Sequence, residues 1–215
     1  MEPKRVLSKR AFAVTAILLC CVSPSWAEKA GKQLSTPVLE CSKVDAHTLS
    51  ARTERVTNTK KSNDAYAVVE LARDPADPSG ASCVATYTLY LSQYSSNFKA
   101  VKTFSMPTRD GVGVDLLGFS DDGTKVAADF WWTAADYKGH RPVVYDLKSK
   151  VPRMDELSDQ ITSQLPACDY QEELTGVTDK GEVVIHVPSS AHVDRGCPDQ
   201  GNWLLDSITG DVRRQ

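Results

Sequence analysis

The stretch "LLGFSDDGTKVAADFWW", residues 116–132, decides the fold. An apolar run breaks into Ser-Asp-Asp-Gly-Thr and resumes at once as a second apolar run. Aspartate before glycine bonds its own backbone and starts a tight turn, so the stretch reads as strand, turn, strand. The same grammar recurs on both sides. "AYAVVELA" (65–72), "CVATYTLYLS" (83–92), "FKAVKTFSM" (98–106), "VDLLGFS" (114–120), "KVAADFWW" (125–132), "PVVYDLK" (142–148), "EVVIHVP" (182–188) and "NWLLDS" (202–207) all read as strands. Turn signals separate them at Asp74-Pro75, Pro78-Ser79-Gly80, Asp110-Gly111, Asp122-Gly123, Lys180-Gly181 and Thr209-Gly210. In 83–92 the alternation puts Val84, Thr86, Thr88 and Tyr90 on one face and Ala85, Tyr87, Leu89 and Leu91 on the other. One helix is predicted, over 153–165, where Met154, Leu157, Ile161 and Leu165 recur at helical spacing. The class is all-β.

The turn has an echo. Gly118, Asp121, Gly123 and Val126 match Gly176, Asp179, Gly181 and Val184 at an offset of 58, and Asp146 matches Asp206 at an offset of 60. An earlier, fainter copy puts Asp64 and Val68 before Asp122 and Val126. "GFSDDGTKVAADF" with "VVYDLKSKVPR", and "GVTDKGEVVIHV" with "LLDSITGDVRR", resemble a TolB/WD40-type β-propeller repeat over residues 114–153 and 173–214. The resemblance implies antiparallel four-stranded units, about three in residues 38–215, arranged as an open or partial propeller. The offset exceeds the usual blade period of ~40–45 residues, and propellers have 4–8 blades. A β-sandwich with propeller-like hairpins is the alternative.

The N-terminus reads as an export signal. Lys4, Arg5, Lys9 and Arg10 precede "AFAVTAILLCCV", and Ser25 and Ala27 are the small residues a signal peptidase requires. The apolar run is too short to span a bilayer, and no later stretch approaches one. Leu19 and Cys20 are poor neighbours for a lipidated cysteine. Cleavage after Ala27 leaves 188 of the 215 residues, with 28–37 as a flexible leader. Losing those four basic residues and Glu2 takes the net charge from −3 to −6. No basic stripe points to nucleic acid. The expected location is periplasmic or secreted.

Cys20 and Cys21 leave with the signal; Cys41, Cys83, Cys168 and Cys197 remain. In an oxidising compartment an even number reads as disulfides. Of three connectivities, Cys41–Cys83 with Cys168–Cys197 keeps each bridge within one half of the chain. The absence of any Cys-x-x-Cys pair argues against zinc.

"ADFWWTAADYKGHR" (128–141) is the densest aromatic stretch. Alternation puts Phe130 and Trp132 on one strand face and Trp131 on the other. One face packs in the core. The other, with Tyr137 and His140 in a following loop, would form a platform for a sugar, peptide or protein. Packing of both faces between sheets is the competing reading. His186, His192 and Asp194 are ligand types for a transition metal, but Pro188, Ser189 and Ser190 interrupt the spacing. With Ser189 or Ser190 they also hold hydrolase residue types, yet no Gly-x-Ser-x-Gly elbow occurs. Asp121-Asp122 and Asp74…Asp77 lack the spacing of a calcium loop and read as turns. Glu172-Glu173 has no assignable acid/base partner, and "GVGVDLLG" (111–118) lacks the helix a dinucleotide loop needs.

The sequence therefore predicts a non-catalytic exported protein without a cofactor. It would bind a protein or glycan of the cell envelope through loops at strand ends, 133–141 and 189–201, using Trp131, Trp132, Tyr137 and His140. The alternatives are a secreted metal-dependent or serine hydrolase built on His186, His192 and Asp194, and a structural envelope component.

Overall fold

A computed structural model describes residues 34–93, 97–134, 137–154, 172–188 and 200–215. Apart from one 3₁₀ turn, the regular structure of the described residues is all strand, in three antiparallel sheets. The first holds β3 (Leu49–Arg52), β4 (Val56–Asn58), β5 (Asn63–Arg73), β6 (Cys83–Gln93) and β7 (Asn97–Thr108). The second holds β8 (Gly111–Phe119), β9 (Lys125–Ala134), β10 (Tyr137–Asp146) and β11 (Pro152–Met154), with β1 (Leu34–Ser35) and β2 (Leu39–Glu40) along the edge of β8. The third runs in chain order through β12 (Glu173–Val177), β13 (Glu182–Val187), β14 (Gly201–Asp206) and β15 (Val212–Arg214).

The second sheet lies in the middle. Its Val112, Val114, Leu116, Val126, Ala128, Phe130 and Val143 pack with Ala65, Val69, Leu71, Tyr87 and Leu89 of the first sheet. Its Ala127 and Val144 pack with Leu174, Val183, Ile185 and Leu205 of the third. Period-two alternation lets one strand feed both cores: Ala127 goes one way, Val126 and Ala128 the other. Each buried Val, Leu, Ile or Phe among them contributes about 1.5–3 kcal/mol.

The turns tie the sheets together at one end. Asn58 Nδ2 donates to the Gly123 carbonyl at 2.8 Å, and the Lys60 ammonium donates to the Asp121 carbonyl. The Asp122 N–H donates to Asp179 Oδ1 at 2.7 Å, linking the second sheet to the third. Gly123 and Gly181 take φ of +71° and +88°, a region that favours glycine.

The Cys41–Cys83 disulfide forms, fastening a single 3₁₀ turn (Cys41–Lys43) to the start of β6. Cys168 and Cys197 lie outside the described residues, as do 1–33, which contain the expected signal. Residues 34–36 differ from the expected flexible leader. Leu34 and Ser35 pair with β8, and Thr36 exchanges bonds with the Val114 backbone at 3.0 Å. The free edge of β8 is thereby covered. Arg153 and Met154, predicted helical, belong to β11; the rest of that helix lies outside the described residues. No described helix is long and apolar enough to cross a membrane.

Candidate binding cleft

In the predicted binding loop at 133–141, every described residue belongs to a strand. β9 and β10 are ten-residue strands joined through 135–136, and they place Tyr137 and His140 in regular register with Ala134 and Trp131. Polar residues within a doubly covered strand make this stretch look like a loop in sequence. Phe130 and Trp132 do share one face, with Trp131 on the other. Trp131 is 5% exposed, so its indole is a packed group rather than an open platform. It lies against Gly113, where even a Cβ would fall 2.0 Å from the ring. Trp132 is half-buried over Gly139, where a Cβ would fall 2.3 Å from its ring.

His140 is 2% exposed, with Nδ1 2.5 Å from Asp129 Oδ2. Asp129 Oδ1 accepts the Arg141 N–H at 3.1 Å. Burial pulls the His140 pKa down, but the charge and hydrogen bond of Asp129 outweigh it, and the net direction is up. On the neighbouring strand Asp115 stands opposite Asp129, and Lys138 Nζ lies 3.4 Å from its Oδ2. Lys138 also sits 4.5 Å from the Trp131 ring centroid. Strand register thus gathers Trp131, Lys138 and His140 with two buried carboxylates, in the interior between the second and third sheets. His186 is half-buried in β13, with Nδ1 2.9 Å from Asn202 Oδ1. His192 and Asp194 lie outside the described residues. Among the described residues no three His, Cys, Asp or Glu side chains form a metal-binding group.

An open cavity lies elsewhere, at the turn end, between the first and second sheets. It is a cleft of about 810 Å³. Lys61, from the β4–β5 turn, and Lys99, on β7, line one wall. Lys148 and Lys150, from the β10–β11 turn, line the other. Leu91, Val101, Tyr145 and Leu147 form its apolar part, and Asn63, Asn97, Ser92 and Thr124 its polar part. Among the described residues no carboxylate lines it. All four lysines are solvent-exposed, and none meets a carboxylate among the described residues.

The acid between the lining residues Tyr145 and Leu147 is already occupied. Asp146 opens the β10–β11 turn and accepts the N–H groups of Lys148 and Ser149 at 2.7 and 3.0 Å. Its other oxygen lies 2.9 Å from Lys125 Nζ. Burial alone would raise the Asp146 pKa, but these bonds hold it below the ordinary value. Lys148 and Lys150 therefore bring positive charge to the cleft and form no ion pair among the described residues.

The backbone supports the same location. Among the described residues only Ser62 (φ +53°) and Lys150 (φ +59°) are non-glycine residues in the left-handed region. Lys150 lines the cleft, and Ser62 sits between the lining residues Lys61 and Asn63. Such residues cost of order 1–3 kcal/mol and gather at functional sites. Nothing in the sequence flags this site. "TKKSN", "FKAVK" and "LKSKV" each read as ordinary surface lysines, and only strand pairing brings them to one cleft.

No protein-family model, curated protein or solved structure matches this chain.

Proposed function

We propose that this is an exported, non-catalytic binding protein, with a propeller-like β scaffold, that holds an anionic partner of the cell envelope in the cleft between its first two sheets. One observation carries the reading: among the described residues, an acidic chain concentrates four lysines without ion pairs, and no carboxylate, around its cleft. Positive charge focused in a concave, partly apolar site attracts anions more strongly than the same charge on a flat surface. Lysine acts there as a mobile point charge; the bidentate fork of arginine is missing. Among the described residues the one ring lining the cleft, Tyr145, is 8% exposed and offers no face for base stacking, and no basic stripe marks the sequence, which speaks against nucleic acid. The Cys41–Cys83 bridge fits an oxidising compartment. Binding thus uses strand-end turns, as the sequence suggests, but at the end of the sheets opposite to residues 133–141.

A carboxymethyl cation-exchange resin at pH 7 and low salt tests this. A chain with this net charge should flow through unless it has a concentrated positive site. Retention of wild type, and its loss in Lys61→Gln/Lys148→Gln/Lys150→Gln with an unchanged melting curve, is the expected result. Flow-through of both proteins, or equal retention, would refute the reading. N-terminal sequencing of exported protein should begin at Glu28, one residue after the Ser25-x-Ala27 signal.

A further inference from the structure

The positive charge lies on both walls of the cleft: Lys61 and Lys99 on one, Lys148 and Lys150 on the other. A ligand with a single carboxylate could satisfy one wall only. The volume of about 810 Å³ is near the top of the range for small-molecule sites. One compact anion would leave most of it filled with water. The occupant should therefore be extended and carry repeated negative charge.

Two kinds of polymer meet that description, and the walls separate them. An acidic peptide would gain most by adding a strand to the free edge of the first sheet, which is β7. That edge carries Lys99, Lys102 and Pro107, residue types that oppose strand addition. A peptide would then have to bind by side chains alone. A sugar chain needs no main-chain ladder. Its carboxylates meet the lysines, its hydroxyls meet the exposed amide of Asn97, and the C–H faces of its rings lie on the apolar strip of Leu91, Val101 and Leu147.

We infer that the cleft binds an acidic polysaccharide, a chain of uronic-acid-type sugars whose carboxylates span the lysines of the two walls. The inference rests on the cleft being the anion site proposed above. It adds the class of polymer, the need for several sugar units, and recognition by side chains.

Titration calorimetry on the full mature chain tests it with five probes: hexagalacturonate, its fully methyl-esterified form, monomeric galacturonate, hexaglutamate and a linear hexaphosphate. Hexagalacturonate should bind at least tenfold tighter than each of the others. Its affinity should fall at least tenfold between 50 and 500 mM salt, because exposed charge pairs are screened. Lys61→Gln/Lys150→Gln should weaken it at least tenfold without altering the melting curve. Equal binding of the methyl ester would show that charge is not read. Equal binding of the monomer would remove the extended ligand. Hexaglutamate or hexaphosphate binding as well as the sugar would overturn the polysaccharide assignment while leaving an anion site. Failure of every probe, together with flow-through on the carboxymethyl resin, would remove the anion site itself.

Discussion

The second and third sheets contain closely matching turns but solve different problems. In one, Gly123 donates to the Ser120 carbonyl at 2.9 Å; in the other, Gly181 donates to the Thr178 carbonyl at 2.9 Å. Asp146 and Asp206 each accept from the two residues that follow the next position, and each carbonyl accepts the N–H four residues on. The interiors differ. The second sheet is covered on both faces and encloses Asp115, Asp129 and His140, all at most 2% exposed. The third has shorter strands, and its β13 histidine is half-buried against a neutral amide. A sheet packed from both sides has no solvent face for its polar residues, so their charges must be matched internally.

The largest test of that difference is Asp129→Ala. Removing one member of a buried pair strands the other and costs about 3–5 kcal/mol. For a chain of this size that is a fall in Tm on the order of 10 °C. His186→Ala in the third sheet should cost about 1 kcal/mol, as for an ordinary hydrogen bond. The pair also gives stability a pH dependence of known sign. His140 has a raised pKa when folded, so the native state holds its proton to higher pH than the unfolded chain. Its contribution is complete below the unfolded value of about 6.5 and is lost as pH rises through the folded value. Denaturant titrations at pH 5.5, 7 and 8.5 should show this loss in wild type and a flatter profile in Asp129→Asn. An identical profile in the variant would mean that the pair does not govern it.

Next in size is a contrast between two glycines. A Cβ on Gly113 would lie 2.0 Å from Trp131, a buried ring with little room to yield. Gly113→Ala should cost about 2–3 kcal/mol, as overpacking does. A Cβ on Gly176 in β12 meets nothing within 4 Å. Gly176→Ala should change stability by no more than about 0.5 kcal/mol. Similar costs at the two positions would show that the second sheet is not the tighter of the two.

The same contrast explains what could be read in advance. β5, β6, β7 and β9 follow from sequence because alternation and flanking turns both mark them, and the faces of Trp131 and Trp132 follow from the same rule. The strands β1 to β4 carry two to four residues each, too few to show a period. The second half of β10 is legible as "PVVYDLK", but its first half, 137–141, hides for a different reason. Lys138, His140 and Arg141 interrupt its apolar pattern because their partners Asp115 and Asp129, and the rings they lie over, belong to other strands. The cleft hides most completely. Its lysines are separated by 38 positions along the chain from Lys61 to Lys99 and by 49 from Lys99 to Lys148, and each is unremarkable alone.

The smallest expected effect separates stability from function. Lys150 and Gly210 hold matching places in their turns, at φ of +59° and +77°. Each N–H bonds to the aspartate carbonyl four residues earlier, at 2.8 and 2.9 Å. Glycine takes this conformation freely, whereas lysine carries strain of about 1 kcal/mol or more. Lys150→Gly should therefore raise stability by about 1 kcal/mol, and Gly210→Ala should lower it by a similar amount, both read from denaturant midpoints. If the strain is retained because a lysine is needed there, Lys150→Gly should also reduce retention on the carboxymethyl resin. Lys150→Asn tolerates the same backbone, removes the charge and should reduce retention equally. A variant that gains stability and keeps full retention would break the link between the strained turn and the cleft, leaving Lys61, Lys99 and Lys148 to hold the anion by themselves.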